Sequence, residues 1–109
     1  MSFAPETEKL VNELIQAEYK NACENWGEKY HSLHEGYAIL KEEIEEVEEQ
    51  TRNLRLIKFI WNEIKEDRKC NLYRLLEFME KGVICAIKEL AQVGAVLQKI
   101  KNTVDEVVE

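Results

Sequence analysis

The sequence predicts an all-α protein. Turn-forming residues are scarce, apolar residues recur at three- and four-residue steps, and helix-end signals punctuate the chain. Across 109 residues there are one proline and four glycines, whereas an all-β fold needs turn chemistry between each pair of short strands. With 45% apolar and 34% charged residues, the composition is that of a globular protein rather than a disordered tail. The length suits one domain, residues 1–109, built as a compact bundle of four to five helices around one core.

The first helix is expected from Pro5, whose missing N–H costs nothing in a first turn, with Glu6 and Glu8 at its positive end. Leu10, Val11, Leu14, Ile15 and Ala22 mark its expected buried side. Gly27 is a natural stop, and residues 27–32 read as a loop. Ser32-Leu33-His34-Glu35 has capping-box spacing and should start a second helix near Leu33. Leu33, Tyr37, Leu40, Ile44 and Val47 form its stripe, which slips phase near Thr51. Leu56, Ile57, Ile60, Trp61 and Ile64 make a new stripe, so a bend is expected at residues 50–54.

Glu66 to Lys69 read as a connection, and Asn71 as the cap of a last helix running from about Leu72 past Lys101. Apolar positions cover more than half of that helix's circumference. Such a helix is central or lies at a subunit interface, so a homodimer or homotetramer is expected. Ala86, Ala91, Gly94 and Ala95 leave room for another helix. A coiled-coil assembly is a weaker reading, because the stripe of the second helix lasts only about two heptads.

The net charge is −7, with the excess acid between Glu35 and Glu49. Such a surface repels phosphate backbones, which argues against direct DNA or RNA binding. Cys23, Cys70 and Cys85 include no CxxC pair, which argues against a disulfide framework or a structural zinc and suits a reducing cytoplasm. No apolar run approaches the ~18 residues of a membrane span. MSFAPETEKL lacks the regions of a signal peptide, so the cytoplasm is the expected location.

The chemistry-bearing segment is HEGYAILKEEIEEVEE, residues 34–49. At helical spacing Glu43 and Glu46 stand one turn apart on one face, with Ile39 between them and Glu42 one turn below Glu46. Like charges beside apolar surface are costly unless something positive compensates. Hard Mg²⁺ or Mn²⁺ is the simplest compensator; a solvated acidic face is the plain alternative. On the last helix Glu89 lies at the edge of the apolar arc, with Gln92 one turn on. Packed antiparallel, the two helices would bring these oxygens to one place.

HEGYAILKEEIEEVEE followed by KELAQVGAVLQK resembles the all-α nucleoside triphosphate pyrophosphohydrolases, the superfamily of MazG and the dimeric dUTPases, and most of all its small phage-type members. Glu42-Glu43-Ile44-Glu45-Glu46 matches an E-E-x-x-E motif, and Glu89-Leu90-Ala91-Gln92 falls where E-x-x-D belongs, with glutamine for aspartate. The resemblance implies Glu43, Glu46 and Glu89 as metal ligands and Gln92 as a weaker one. It implies Glu42 and Glu43 as catalytic residues, Glu42 binding a second ion or positioning water. The implied reaction converts a nucleoside triphosphate to the monophosphate and pyrophosphate with Mg²⁺ (or Mn²⁺). Gln92 removes one negative charge from the motif and favours a second reading, a non-catalytic helical nucleotide-binding or interaction module. His34 reads as surface, Glu28 and His31 lack the second motif of a di-iron bundle, and Trp26, Tyr37 and Trp61 read first as core.

Overall fold

A computed structural model describes residues 2–108, with side chains through Asp105. Among these residues there are no strands. The elements are α1 (Thr7–Trp26), α2 (Leu33–Thr51), a 3₁₀ turn (Arg52–Leu56), α3 (Ile57–Lys65) and α4 (Lys69–Val108).

Local chemistry explains most of the boundaries. Pro5 and Glu6 form a turn ahead of α1, so the helix begins two residues later than its proline suggests. Gly27 ends α1 with φ at +84°, a conformation costly for any residue carrying a Cβ, and its N–H donates to the Cys23 carbonyl at 2.9 Å. Ser32 accepts a hydrogen bond from the Glu35 amide at 3.1 Å and starts α2 at Leu33, as its capping spacing predicts. The phase slip near Thr51 is the 3₁₀ turn, pinned where the Asn53 amide donates to the Phe78 carbonyl.

The α3–α4 corner is tighter than expected. Asp67 takes a positive φ, and Arg68 donates to both Glu63 oxygens, at 2.7 and 3.1 Å. The helix therefore begins at Lys69. Leu72 already bonds back to the Arg68 carbonyl, which places Asn71 inside the helix rather than at its cap.

At 40 residues, α4 is about 60 Å long and forms the spine. α2 runs antiparallel to it, from Gly36 beside Ile100 to Gln50 beside Gly82. α1 runs parallel over its C-terminal half only, through Ile15 on Gly94, Gln16 on Gln98 and Tyr19 on Asn102. A Cβ at Gly94 would lie 3.0 Å from two Ile15 carbons, so the helices meet here because glycine has none.

Three expectations about packing are overturned. The chain is not compact: its radius of gyration is 18.4 Å and its longest dimension 63 Å, against about 13 Å for a compact chain of this length. The described core is thin and rich in small residues, chiefly Ala86, Ala91, Ala95 and Val96. Nor is the α1 stripe buried, since Leu10, Val11 and Leu14 are exposed and only Ile15 and Ala22 are partly covered. Trp26, Tyr37 and Trp61 lie on the surface rather than in the core. Among the described residues, no helix is long and apolar enough to cross a membrane.

Candidate metal centre and its pocket

Antiparallel packing of α2 on α4 brings together the carboxylates that the sequence separates by more than forty positions. Glu43, Glu46 and Glu89 each offer an oxygen within 4.8 Å of the others, and all three are half-buried. Two come from successive turns of α2 and the third from the facing turn of α4. Glu42 projects from the exposed side of α2 and stands outside this trio.

The electrostatics are those of anions held too close. Burial first, then the charges of Glu46 and Glu89 and a hydrogen bond to Glu46, push the Glu43 carboxyl up to about 7. Glu89 is also raised, by burial, by a hydrogen bond to Glu46 and by the Glu46 charge. Glu46 thus stands between two acids, and a carboxyl–carboxylate hydrogen bond exists only while one partner keeps its proton. Gln92 lies at the exposed rim of the cluster. With its amide nitrogen turned toward the acids it donates to Glu89 Oε2 and Glu43 Oε2, both at 3.2 Å. Its oxygen then points away from the cluster.

Glu43 and Gln92 also line a pocket of about 450 Å³ between α1, α2 and α4, within the range of small-molecule sites. Ile39, Ala95 and Val96 give it an apolar wall. Polar groups enter from the far side: Asn21 and Asn25 of α1, His31 of the following loop, and Lys99 of α4. Lys99 is only 3% exposed, and its ammonium lies 4.3 Å from the centre of the Tyr30 ring, a cation–π contact in a desolvated setting. The Tyr30 N–H donates to Thr103 Oγ1, which donates in turn to the Lys99 carbonyl. The Asn102 amide holds the Glu28 carbonyl and the Tyr19 hydroxyl. The loop after α1 is thereby tied across α4, which closes one end of the pocket. Burial, then the charges of Glu43 and Glu35, keep the Tyr30 phenol above its usual range.

The geometry joins the four motif residues expected to bind metal and leaves other candidates apart. His34 and Tyr37 are exposed on α2, and Trp61 is exposed on α3. Trp26, although exposed, edges the pocket. Tyr30, Lys99, Thr103 and the two asparagines are not legible as site residues from sequence alone. A lysine inside the apolar stretch of α4 is the one signal that points toward them. The chain matches no protein-family model, no curated protein and no solved structure.

Proposed function

We propose that this chain is an Mg²⁺- or Mn²⁺-dependent nucleoside triphosphate pyrophosphohydrolase of the all-α kind its sequence resembles, working as a homo-oligomer on free nucleotides in the cytoplasm. The observation that carries this reading is a juxtaposition. Three carboxylates from two antiparallel helices share a mouth with a pocket that holds a buried lysine, an aromatic ring and two side-chain amides.

Each part has a physical role. Glu43, Glu46 and Glu89 would hold the cation, and their mutual repulsion gives them reason to take one. Gln92 would join them by rotating its amide oxygen inward. When bound, the ion supplies neutralisation of the phosphates and a more acidic water. Glu42, on the exposed side, would orient water from solvent. Asn21 and Asn25 offer donors and acceptors to the edge of a base, Ala95 and Val96 supply the apolar wall, and the Lys99 ammonium attracts phosphate oxygen. The three cysteines are free, which suits a reducing compartment.

Pyrophosphate release, measured over the common ribo- and deoxyribonucleoside triphosphates with and without Mg²⁺, tests the reading. Metal-dependent release that Glu43→Gln abolishes is expected. One feature favours a second reading, a nucleotide-binding module without turnover: Gln92 carries no charge where the motif has aspartate and, with its amide nitrogen turned inward, would donate to Glu89 and Glu43 in place of a cation. Nucleotide binding by calorimetry, with no release from any member of the panel, would select that module.

A further inference from the structure

Trp26 is the last residue of α1 and is 81% exposed, yet it edges the pocket between α1, α2 and α4. Four-residue steps place Glu18, Ala22 and Trp26 in one row on the pocket side of α1, with Asn21 and Asn25 in the row beside it. Tyr19, which anchors α1 to Asn102, lies two turns earlier, so the indole overhangs the spine. Gly27 then turns the chain away, with open space where a Cβ would stand. The indole N–H has no hydrogen-bond partner among the described residues.

An indole left in water forfeits one of the largest burial energies a side chain offers. Exposed apolar residues that meet another protein form a continuous patch. Trp26 has polar neighbours instead: Asn25, Glu28 and Lys29 in sequence, and Asn21 and His31 around the same pocket. One flat aromatic face among hydrogen-bonding groups is the make-up of a ligand site.

The asparagines add direction. Asn25 Nδ2 donates to the Asn21 carbonyl at 3.0 Å, which leaves the Asn25 side-chain oxygen to accept. Asn21 Nδ2 donates to no group among the described residues, and the two side-chain amides approach to 3.5 Å. They therefore present an acceptor and a donor side by side, a pattern that the Watson–Crick edge of each common base can meet.

We propose that Trp26 is the stacking platform for the nucleobase, with its indole flat against a ring whose edge meets Asn21 and Asn25. This rests on the nucleotide reading above and gives the bound nucleotide a direction, base toward the end of α1 and phosphates toward Glu43. The pocket runs at least from Gln92 to Lys99, seven residues or about 10 Å along α4, which keeps a base at one end clear of a cation at the other. Every base has a π-face, and stacking strengthens with ring area, so purine nucleotides should bind more tightly than pyrimidine ones.

Trp26 and Trp61 are the two tryptophans of the chain, and Trp61 lies on α3 outside the pocket. Trp61→Phe thus leaves Trp26 as the sole reporter. Titration in Mg²⁺ with α,β-methylene analogues of the nucleoside triphosphates, which resist turnover, should quench its emission saturably. Tripolyphosphate, which has no ring, should not. In Trp26→Phe the emission of Trp61 should stay constant.

By calorimetry Trp26→Ala should bind the purine analogues roughly tenfold or more weakly than wild type, and the pyrimidine analogues should lose less. Trp26→Phe should recover part of the loss, and tripolyphosphate should bind all three proteins alike. Helical circular dichroism should match across the set, because the side chain is already in water. Purine analogues that bind wild type and Trp26→Ala equally, or that bind Trp61→Phe without changing its emission, would overturn the stacking role and leave the nucleotide reading intact. A wild-type protein that binds no analogue would overturn that reading and this proposal together.

Discussion

Replacing Glu43 by glutamine should make the metal-free protein more stable, and the gain should depend on pH. In the unfolded chain the Glu43 carboxyl ionises in its ordinary range, near 4.5, whereas in the fold it ionises near 7. The charged form is the one the fold disfavours. Wild type therefore loses stability as pH rises from about 4.5 to about 7, and above that window the loss is complete. The difference between the two values corresponds to roughly 3 kcal/mol. Water reaches this half-open site and screens the charges, which leaves about 1–2 kcal/mol.

In EDTA at pH 8.5, Glu43→Gln should thus melt above wild type, by roughly 5–10 °C for a chain of this size. At pH 4.5, where the wild-type carboxyl carries its proton in the fold, the two proteins should nearly coincide. Protein concentration must be held constant, because self-association shifts the melting temperature by itself. In millimolar Mg²⁺ the order should narrow or reverse, since the variant has lost a ligand. A variant that melts below wild type at pH 8.5, or gains equally at both pH values, would refute the electrostatic account of the cluster.

Mg²⁺ or Mn²⁺ should raise the wild-type melting temperature, with about 2–3 kcal/mol gained at a hundredfold excess over Kd; no shift at millimolar metal counts against the cation site. Gln92→Asp should tighten metal binding by calorimetry and, if the neutral ligand limits catalysis, raise pyrophosphate release; weaker binding would show that glutamine is matched to this cluster. Gly94→Val should cost about 1–3 kcal/mol in urea unfolding, because the added carbons meet Ile15 where even a Cβ would lie 3.0 Å away. Thr103→Val keeps the shape but strips the acceptor from the buried Tyr30 N–H. It should cost about 1–3 kcal/mol and speed hydrogen exchange at that amide.

Local signals were the most legible part of the fold. Ser32 and Gly27 act through contacts within a few residues, and both set the helix ends that their chemistry implies. The break after Thr51 was visible because a change of stripe phase has to appear as a change of backbone. Asn71 misled for the opposite reason. The Arg68–Glu63 fork and the turn at Asp67 start α4 earlier, and neither follows from propensity. Glu43, Glu46 and Glu89 were legible because one-turn spacing on each helix and a single antiparallel packing suffice to unite them. Tyr30, Lys99 and Thr103 were not, since their contacts depend on where a six-residue loop crosses α4.

The breadth of apolar surface on α4 follows from three duties laid on different sides of one helix. One side, with Glu89, Val96 and Ile100, meets α2 and shapes the acid cluster. A second, with Ala91, Gly94 and Ala95, admits α1 at close range. The outer row, Leu76, Val83, Leu90, Leu97 and Val104, stays between 38% and 52% exposed, with Leu90 at the edge of the α1 groove. A reading of the whole arc as one stripe sees only that the helix is central. Separating the sides shows why Leu10, Val11 and Leu14 stay exposed on α1: they border the open row instead of lying beneath it. The same division keeps assembly and metal binding experimentally apart. Leu90 lies on the outer row and Glu89 in the acid cluster, so neighbouring substitutions test assembly and metal binding separately. Leu90→Glu should weaken the proposed self-association, and any metal response the resulting monomer retains belongs to the α2–α4 pair alone.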